Sequence, residues 1–290
     1  MCTGMGANRR TSDAVWRGGV GHKSPKVLEK LRKELGRALI NAPASTNCEV
    51  IQGELGWLPI KANWDIARLM YWHRLCWGRN TLAKWVFKER KKTANRKDKD
   101  NWCVGTLLLL QELKLDNFWK YGFLGTREKW RDLVRGRVRK REEDAWRRRV
   151  ASRPRLGTYR KIKRSLELEE YLDVLEGQRK RNIIEIRSGV NQLEMEQGRR
   201  RKVKREDRVC KICACEVEDE EHFLLGCKLD DDIRERWKED IGVQSHLDNE
   251  KTLERMIGTG KWKFRWRCAG KNVSEMLERR RSALTTDRTR

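Results

Sequence analysis

Apolar residues recur along this chain at three- and four-residue intervals, and strict alternation is scarce. That pattern predicts helices rather than strands. Ser24-Pro25 reads as a cap followed by proline at the first helical position. Val27, Leu28, Leu31, Leu35 and Leu39 then mark one face of a helix ending near Asn41. After a turn at 53–60, a helix starting near Asn63 carries Ile66, Leu69, Met70, His73, Cys76 and Trp77 on one stripe, which makes His73 a half-buried core residue rather than a ligand. Thr81 caps a further helix through Leu82, Trp85 and Val86, and 88–100 reads as a charged linker.

The next helix runs from Asn101 to about Leu115 with Leu107, Leu110 and Leu113 inward, followed by an aromatic cluster of Phe118, Trp119, Tyr121 and Phe123. A long basic helix opens at Thr126, with Trp130, Leu133, Val134, Val138, Ala145 and Trp146 near-periodic. Ser165 caps a helix through Tyr171, Leu172 and Leu175, and another spans Arg179 to Gln197. Asp230, Asp231 and Asp232 sit where a helix carrying Ile233 and Trp237 should start, favourable for its dipole. Shorter helices around Leu253 and Val273 close the chain. The expectation is an all-α protein: a flexible lead-in at 1–22, a helical region at 23–125, a basic helical region at 126–206, a small metal-stabilised module with closing helices at 207–285, and a tail at 286–290.

Composition narrows the partners. The 290 residues hold 68 Lys and Arg against 43 Asp and Glu, a formal net charge of +25. Such a field draws polyanions and points to nucleic acid. From Arg135 to Arg164 there are 14 basic residues against 3 acids. Within it Arg137, Arg139, Lys140, Arg141, Arg147, Arg148 and Arg149 are candidate phosphate contacts, as are Arg199, Arg200, Arg201, Lys202, Lys204 and Arg205 of a second basic run, and Lys211. The run at 199–205 also fits a nuclear-import signal. Thirteen tryptophans could stack unpaired bases, although Trp72, Trp77, Trp85, Trp130 and Trp146 lie near apolar stripes and read as core. No apolar run approaches a membrane span, and no signal peptide opens the chain. The expectation is therefore an intracellular protein, nuclear or cytoplasmic, that does not engage membranes.

Nine cysteines, an odd number with a single cluster, fit a reducing interior and one metal site better than a disulfide scaffold. Cys210, Cys213, His222 and Cys227 have the spacing C-x2-C-x8-H-x4-C. Three thiolates and an imidazole form a closed tetrahedral set for one structural zinc ion. Cys215 could replace Cys213 or be a spare thiol.

Catalytic chemistry finds little footing. Of four histidines none lies in a nucleophile motif, and a closed four-ligand zinc has no open position for water. Gly18 to Ser24 fails as a phosphate loop because His22 separates glycine from Lys23. Asp230 to Asp232 lack the aromatic-x step of a polymerase carboxylate pair and read as a helix cap.

Arg208-Val-Cys210-Lys-Ile-Cys213, followed by Val217-Glu-Asp-Glu-Glu-His222-Phe-Leu-Leu-Gly-Cys227, resembles the zinc-binding segment that closes the reverse transcriptase polyprotein of LINE-type (non-LTR) retrotransposons. Softer likeness extends over 40–280, through Gly53-Glu-Leu-Gly-Trp57-Leu-Pro59, Ala67 to Trp72, Asn101-Trp102, Leu156-Gly-Thr-Tyr159 and the stretch from Arg187 to Gly198. The resemblance implies Cys210, Cys213, His222 and Cys227 as ligands, with Cys215 outside the set. It also implies a region that binds RNA or DNA while a polymerase, here a partner in trans, does the chemistry. The chain carries no polymerase or endonuclease motif. The expectation is zinc-dependent, non-catalytic binding of RNA or single-stranded DNA. The rivals are a protein-interaction module docking through the acidic Glu216 to Glu221 loop, and a decayed remnant.

Overall fold

A computed structural model of the chain describes residues 24–92, 101–123, 125–244 and 246–286. The lead-in at 1–22, the segment from Gly18 to Lys23, the linker at 93–100 and the end of the tail lie outside them. Among the described residues the chain is all-α, with no strand and two isolated β-bridges. Its helices are α1 (Ser24–Leu39), α2 (Cys48–Glu54), α3 (Ile60–Trp77), α4 (Thr81–Lys92), α5 (Trp102–Glu112), α6 (Asn117–Tyr121), α7 (Arg127–Ala151), α8 (Gly157–Ile162), α9 (Tyr171–Val174), α10 (Gly177–Ser188), α11 (Glu194–Arg200), α12 (Asp231–Asp240), α13 (Asn249–Ile257) and α14 (Lys263–Thr286). None is long and apolar enough to cross a membrane.

The chain divides into two compact units, Met1–Leu31 with Leu58–Ala145, and Arg32–Trp57 with Trp146–Arg290. These cut across the sequence blocks 23–125, 126–206 and 207–285. The cluster of Cys210, Cys213, His222 and Cys227 belongs to the second, larger unit, and Phe223 and Leu224 between its last two members are part of that unit's core.

In the smaller unit, Leu69 and Trp72 of α3, Leu110 of α5, and Trp130, Val134 and Val138 of α7 are buried together. Trp130 donates its indole N–H to the Leu69 carbonyl at 3.0 Å, so its one polar atom is satisfied inside the core. His73 is buried and stacks on Trp130 with ring centroids 6.0 Å apart. It is a core residue, and burial lowers its pKa. Phe118 and Phe123 complete the aromatic cluster around Trp130, while Tyr121 faces solvent.

Two expectations fail here. Trp77 and Trp85, read as core, are 49% and 62% exposed. The helix read over Val27 to Leu39 does form, as α1, and its apolar face (Val27, Leu28, Leu31, Leu35, Leu39) is exposed. Periodicity identifies residues that share a face, but not whether another element covers it. Lys88 to Lys92, assigned to the linker, are instead the last turns of α4.

The larger unit packs α2, α8, α10, α12, α13 and α14 around Val50, Trp146, Tyr159, Tyr171, Ile183, Trp237 and Trp266. At its centre Arg187 is fully buried. It pairs with Glu54 at 3.0 Å and Glu169 at 3.1 Å, and donates to the Ile257 carbonyl. Lys163, also buried, pairs with Glu169 at 2.6 Å. Two cations thus face two carboxylates, the condition under which charge survives burial. The rings of Tyr159, Tyr171 and Trp266 surround the guanidinium at 5.9, 5.5 and 5.6 Å.

Two helix expectations need correction in this unit. The helix expected over 179–197 is two helices, α10 and α11, because Gly189 has φ of +66° and ends α10 in a left-handed turn. A Cβ there would lie 2.8 Å from the Arg155 carbonyl oxygen, so only glycine fits. No helix begins at Ser165. Residues 163–170 instead run irregularly, pairing Leu55 with Leu168 and lodging Leu166 in the core, before α9 starts at Tyr171.

Candidate metal centre

Two local turns bring the four ligand candidates together. In the first, the Cys210 backbone N–H donates to the Glu216 carbonyl at 2.8 Å, and Ala214 N–H closes back on the Cys210 carbonyl at 2.9 Å. Val209 and Val217 form a β-bridge at the base of this loop. Ala214 adopts φ of +54°, which lets the chain reverse past Cys213. In the second, residues His222–Gly226 form a π-turn, closed by Cys227 N–H on the His222 carbonyl at 2.8 Å. The i→i+5 closure aligns His222 and Cys227 on one side. Asp219 caps the turn through the His222 N–H at 2.9 Å.

The ligand atoms of Cys210, Cys213, His222 and Cys227 all lie within 4.8 Å of one another. Cys210 Sγ and Cys227 Sγ are 4.0 Å apart, and Cys213 Sγ lies 3.3 Å from His222 Nε2. A tetrahedral ion bound by sulfur at about 2.3 Å and nitrogen at about 2.0 Å needs ligand atoms roughly 3.5–3.8 Å apart. The group could therefore hold one metal ion after small adjustments. Cys215 is exposed and turned away, its thiol donating to the Cys213 carbonyl at 3.0 Å. The contact between the Cys210 and Cys227 thiols pushes the pKa of Cys210 up and that of Cys227 down, with burial adding to the rise at Cys210.

In the acidic stretch between the ligand pairs, Glu218 and Glu220 turn inward while Glu216 stays exposed. Glu216 meets His222 Nδ1 at 3.3 Å, the kind of contact that fixes which ring nitrogen is free to ligate. Glu218 is buried, 3.6 Å from Cys210 Sγ, and is held by Arg280. Glu220 is buried against Asn191 and Thr158, and burial raises its pKa. Glu221 pairs with Lys161 at 2.5 Å. Arg234 ties Cys227 to α12, donating to the Cys227 carbonyl at 2.7 Å and the Leu224 carbonyl at 2.9 Å. None of these supports was legible from ligand spacing. From the sequence, Glu216 to Glu221 reads as an acidic loop for a docking partner.

The predicted phosphate contacts fall into several environments. Arg199 and Arg200 pair with Glu196 at 2.8 and 3.1 Å, Arg201 pairs with Glu194, and Lys211 meets Glu194 at 2.7 Å. Lys202, Lys204 and Arg205 are exposed, with no ion pair among the described residues. On α7, Arg137, Arg139, Lys140, Arg147 and Arg148 are exposed, and Arg147 donates to the Arg164 carbonyl at 2.8 Å. Arg149 donates to Gln52 at 3.0 Å. Arg141 is enclosed by Asp65, Glu142 and Glu112 at 2.6, 2.6 and 3.2 Å. Arg137, Arg139, Lys140 and Arg141 belong to the smaller unit, and the other candidates join the metal cluster in the larger one.

One residue to which the sequence reading gave no role links the Cys210 turn to the basic run. Arg208 sits two positions before Cys210, beside the Val209–Val217 bridge. Its guanidinium donates to the Val203 carbonyl at 3.0 and 2.8 Å and to the Met195 carbonyl at 3.2 Å. Lys202, at φ of +60°, makes the turn that this clamp holds.

No protein-family model, curated protein or solved structure matches the chain.

Proposed function

We propose that the chain binds RNA or single-stranded DNA through a basic surface shaped by one structural zinc ion, and that it performs no catalysis itself. Three cysteines and one histidine are a closed donor set suited to zinc, and their ligand atoms lie within 4.8 Å of one another, which supports one ion after small adjustments. The coupling through Arg208 carries the reading: ordering the ligand loop positions Arg208, which clamps Val203 and so presents Lys202, Lys204 and Arg205 to solvent. The net charge of +25 supplies the general attraction. The likeness of Arg208 to Cys227 to the closing segment of LINE-type reverse transcriptase polyproteins supports the same reading, with a polymerase acting as partner in trans and the nucleus or cytoplasm as compartment.

Of the acidic loop, Glu216 stays exposed to solvent while the remaining glutamates are engaged within the chain. Glu218 and Glu220 are buried and Glu221 is paired within the chain.

Fluorescence anisotropy of a labelled single-stranded oligonucleotide tests the proposal. Zinc-loaded protein should bind at low salt, weaken steeply as salt rises, and lose affinity when a chelator strips the ion. Absence of binding at low salt, or affinity indifferent to chelation, would refute it.

A further inference from the structure

The stretch from Arg255 to Ser274 contains six basic residues and no acid, and the order Lys261-Trp262-Lys263-Phe264 alternates cations with aromatic rings. Trp262 is 60% exposed and Phe264 62%, in a unit whose other tryptophans, Trp146, Trp237 and Trp266, are fully buried apart from Trp57. Lys261, Lys263, Arg267 and Lys271 are exposed with no ion pair among the described residues. The first turn of α14 carries no acid.

These rings stand on a fixed mount. Thr259 is pinned by its N–H to the Ile162 carbonyl at 3.2 Å and by its hydroxyl to Glu169 at 2.7 Å. Arg265, buried, donates to the Gly258 carbonyl at 2.7 Å, and Trp266 donates its indole N–H to the Gly260 carbonyl at 3.1 Å. A Cβ on Gly260 would come within 2.4 Å of the Arg265 guanidinium, so the turn is closed around that side chain. The Arg255 guanidinium lies 5.9 Å from the Trp262 ring centroid. Two large rings thus stay in water on a turn anchored to the central ion network, surrounded by unpaired cations.

We propose that this corner, from Arg255 to Arg267, is a second contact surface for single-stranded nucleic acid, in which Trp262 and Phe264 stack unpaired bases and Lys261, Lys263 and Arg267 meet the flanking phosphates. The inference rests on the nucleic-acid reading above and deepens it by naming unpaired bases as the target. A single strand alternates flat rings with charges, as this segment does, and base–aromatic stacking is available to every base. A bilayer would need a broader apolar face, yet Trp266, Ala269, Val273 and Met276 of α14 are buried in the core.

The test uses the zinc-loaded full chain and two fluorescein-labelled probes, an oligo-dT strand and a mixed-sequence duplex of equal length. Trp262→Ala/Phe264→Ala should weaken oligo-dT binding at least about tenfold and leave duplex affinity and the salt dependence as in the parent chain. Trp262→Tyr, which keeps a stacking face, should retain most of the affinity. Circular dichroism melting should be unchanged because both rings are exposed.

Undiminished oligo-dT binding by the double variant, or equal losses on strand and duplex, would overturn the inference. If alanine at Lys202, Lys204 and Arg205 lowers affinity while the aromatic variant does not, the functional reading stands and this inference falls. If the parent chain binds neither probe, both fall.

Discussion

Arg280, near the end of α14, grips Glu218 through two parallel bonds of 2.6 Å, Nε to Oε1 and Nη2 to Oε2. Both side chains are buried, and Glu218 sits between Cys213 and His222 with Oε1 3.6 Å from Cys210 Sγ. Glu218 also accepts the Glu194 N–H at 2.7 Å. The C-terminal helix, the start of α11 and the ligand loop therefore meet on one carboxylate. Removing Arg280 leaves that charge buried and unpaired, which typically costs about 3–5 kcal/mol. Arg280→Ala should lower the urea midpoint by a corresponding amount. It should also weaken zinc affinity about 10–100-fold, as loss of a ligand-supporting contact does. Competition with a chromogenic chelator measures the second effect. Unchanged affinity would show that Glu218 does not steady the ligands.

Arg187 should be the most costly charged residue to lose. Arg187→Ala strands Glu54 and Glu169 without their guanidinium and opens a cavity among Tyr159, Tyr171 and Trp266. The expected loss is again about 3–5 kcal/mol, read from urea unfolding of the zinc-loaded protein. Arg187→Lys should recover only part of it, because an ammonium cannot bridge two carboxylates and a carbonyl in the same plane. Full recovery with lysine would mean that charge alone matters at this centre.

The same network sets a pH dependence. Burial alone would raise the Glu169 pKa, but Arg187 and Lys163, together with the bonds from Lys163 and Thr259, outweigh burial and hold the carboxyl below its usual range. A folded-state pKa below the unfolded value means that the unfolded chain binds more protons in the interval between them. The stabilisation is complete above the unfolded value of about 4.3 and is lost as pH falls through the folded value. Glu169→Gln should destabilise the protein at neutral pH and flatten stability against pH on the acid side. An unaltered acid limb, measured by urea midpoints between about pH 5 and pH 3, would count against this account.

The grouping of Cys210, Cys213, His222 and Cys227 was legible because it is local. Four residues within eighteen positions, closed by two short turns, leave the spacing to do the geometry. Helix content was legible from periodicity for the same reason. What covers a helix face depends on residues far away in sequence, and there the pattern misled. Trp77 and Trp85 share stripes with core residues yet remain exposed, and the leucines of α1 face solvent. Charge misled in the opposite direction. Lys163 counted towards the basic excess of 135–164, but it is fully buried on Glu169. Nothing in the local sequence marks Arg187 as buried, because its partners lie at positions 54 and 169. The break at Gly189 was readable in hindsight from glycine at the end of a helix with a basic last turn.

Metal stoichiometry separates the two candidate roles of Cys215. Cys227→Ser should abolish tight zinc binding and unfold residues around 208–227, the loop that the proposed ion would order. Binding free energies of about 10–16 kcal/mol are typical of such sites. Cys215→Ser should keep one zinc per chain, since its thiol bonds the Cys213 carbonyl from the exposed side. Mass spectrometry under native conditions reads both. One zinc on the Cys227→Ser variant and none on the Cys215→Ser variant would reassign the set.

The basic run should reveal itself in salt dependence rather than in sequence preference. Arg199, Arg200, Arg201 and Lys211 already face Glu196 and Glu194, so a phosphate would have to compete with an internal carboxylate for each. Lys202, Lys204 and Arg205 face no such competitor among the described residues. For single strands each neutralised phosphate contributes about 0.7 to the slope of log affinity against log salt. Alanine at all three positions should therefore reduce that slope by about 2, while zinc stoichiometry and thermal stability hold. Arg208→Ala should produce a partial version of the same change with the cations still present, because the clamp on Val203 is gone. A slope unaffected by the triple variant would move the phosphate contacts away from this run, and an Arg208→Ala slope equal to that of the parent chain would remove the link between metal loop and basic surface.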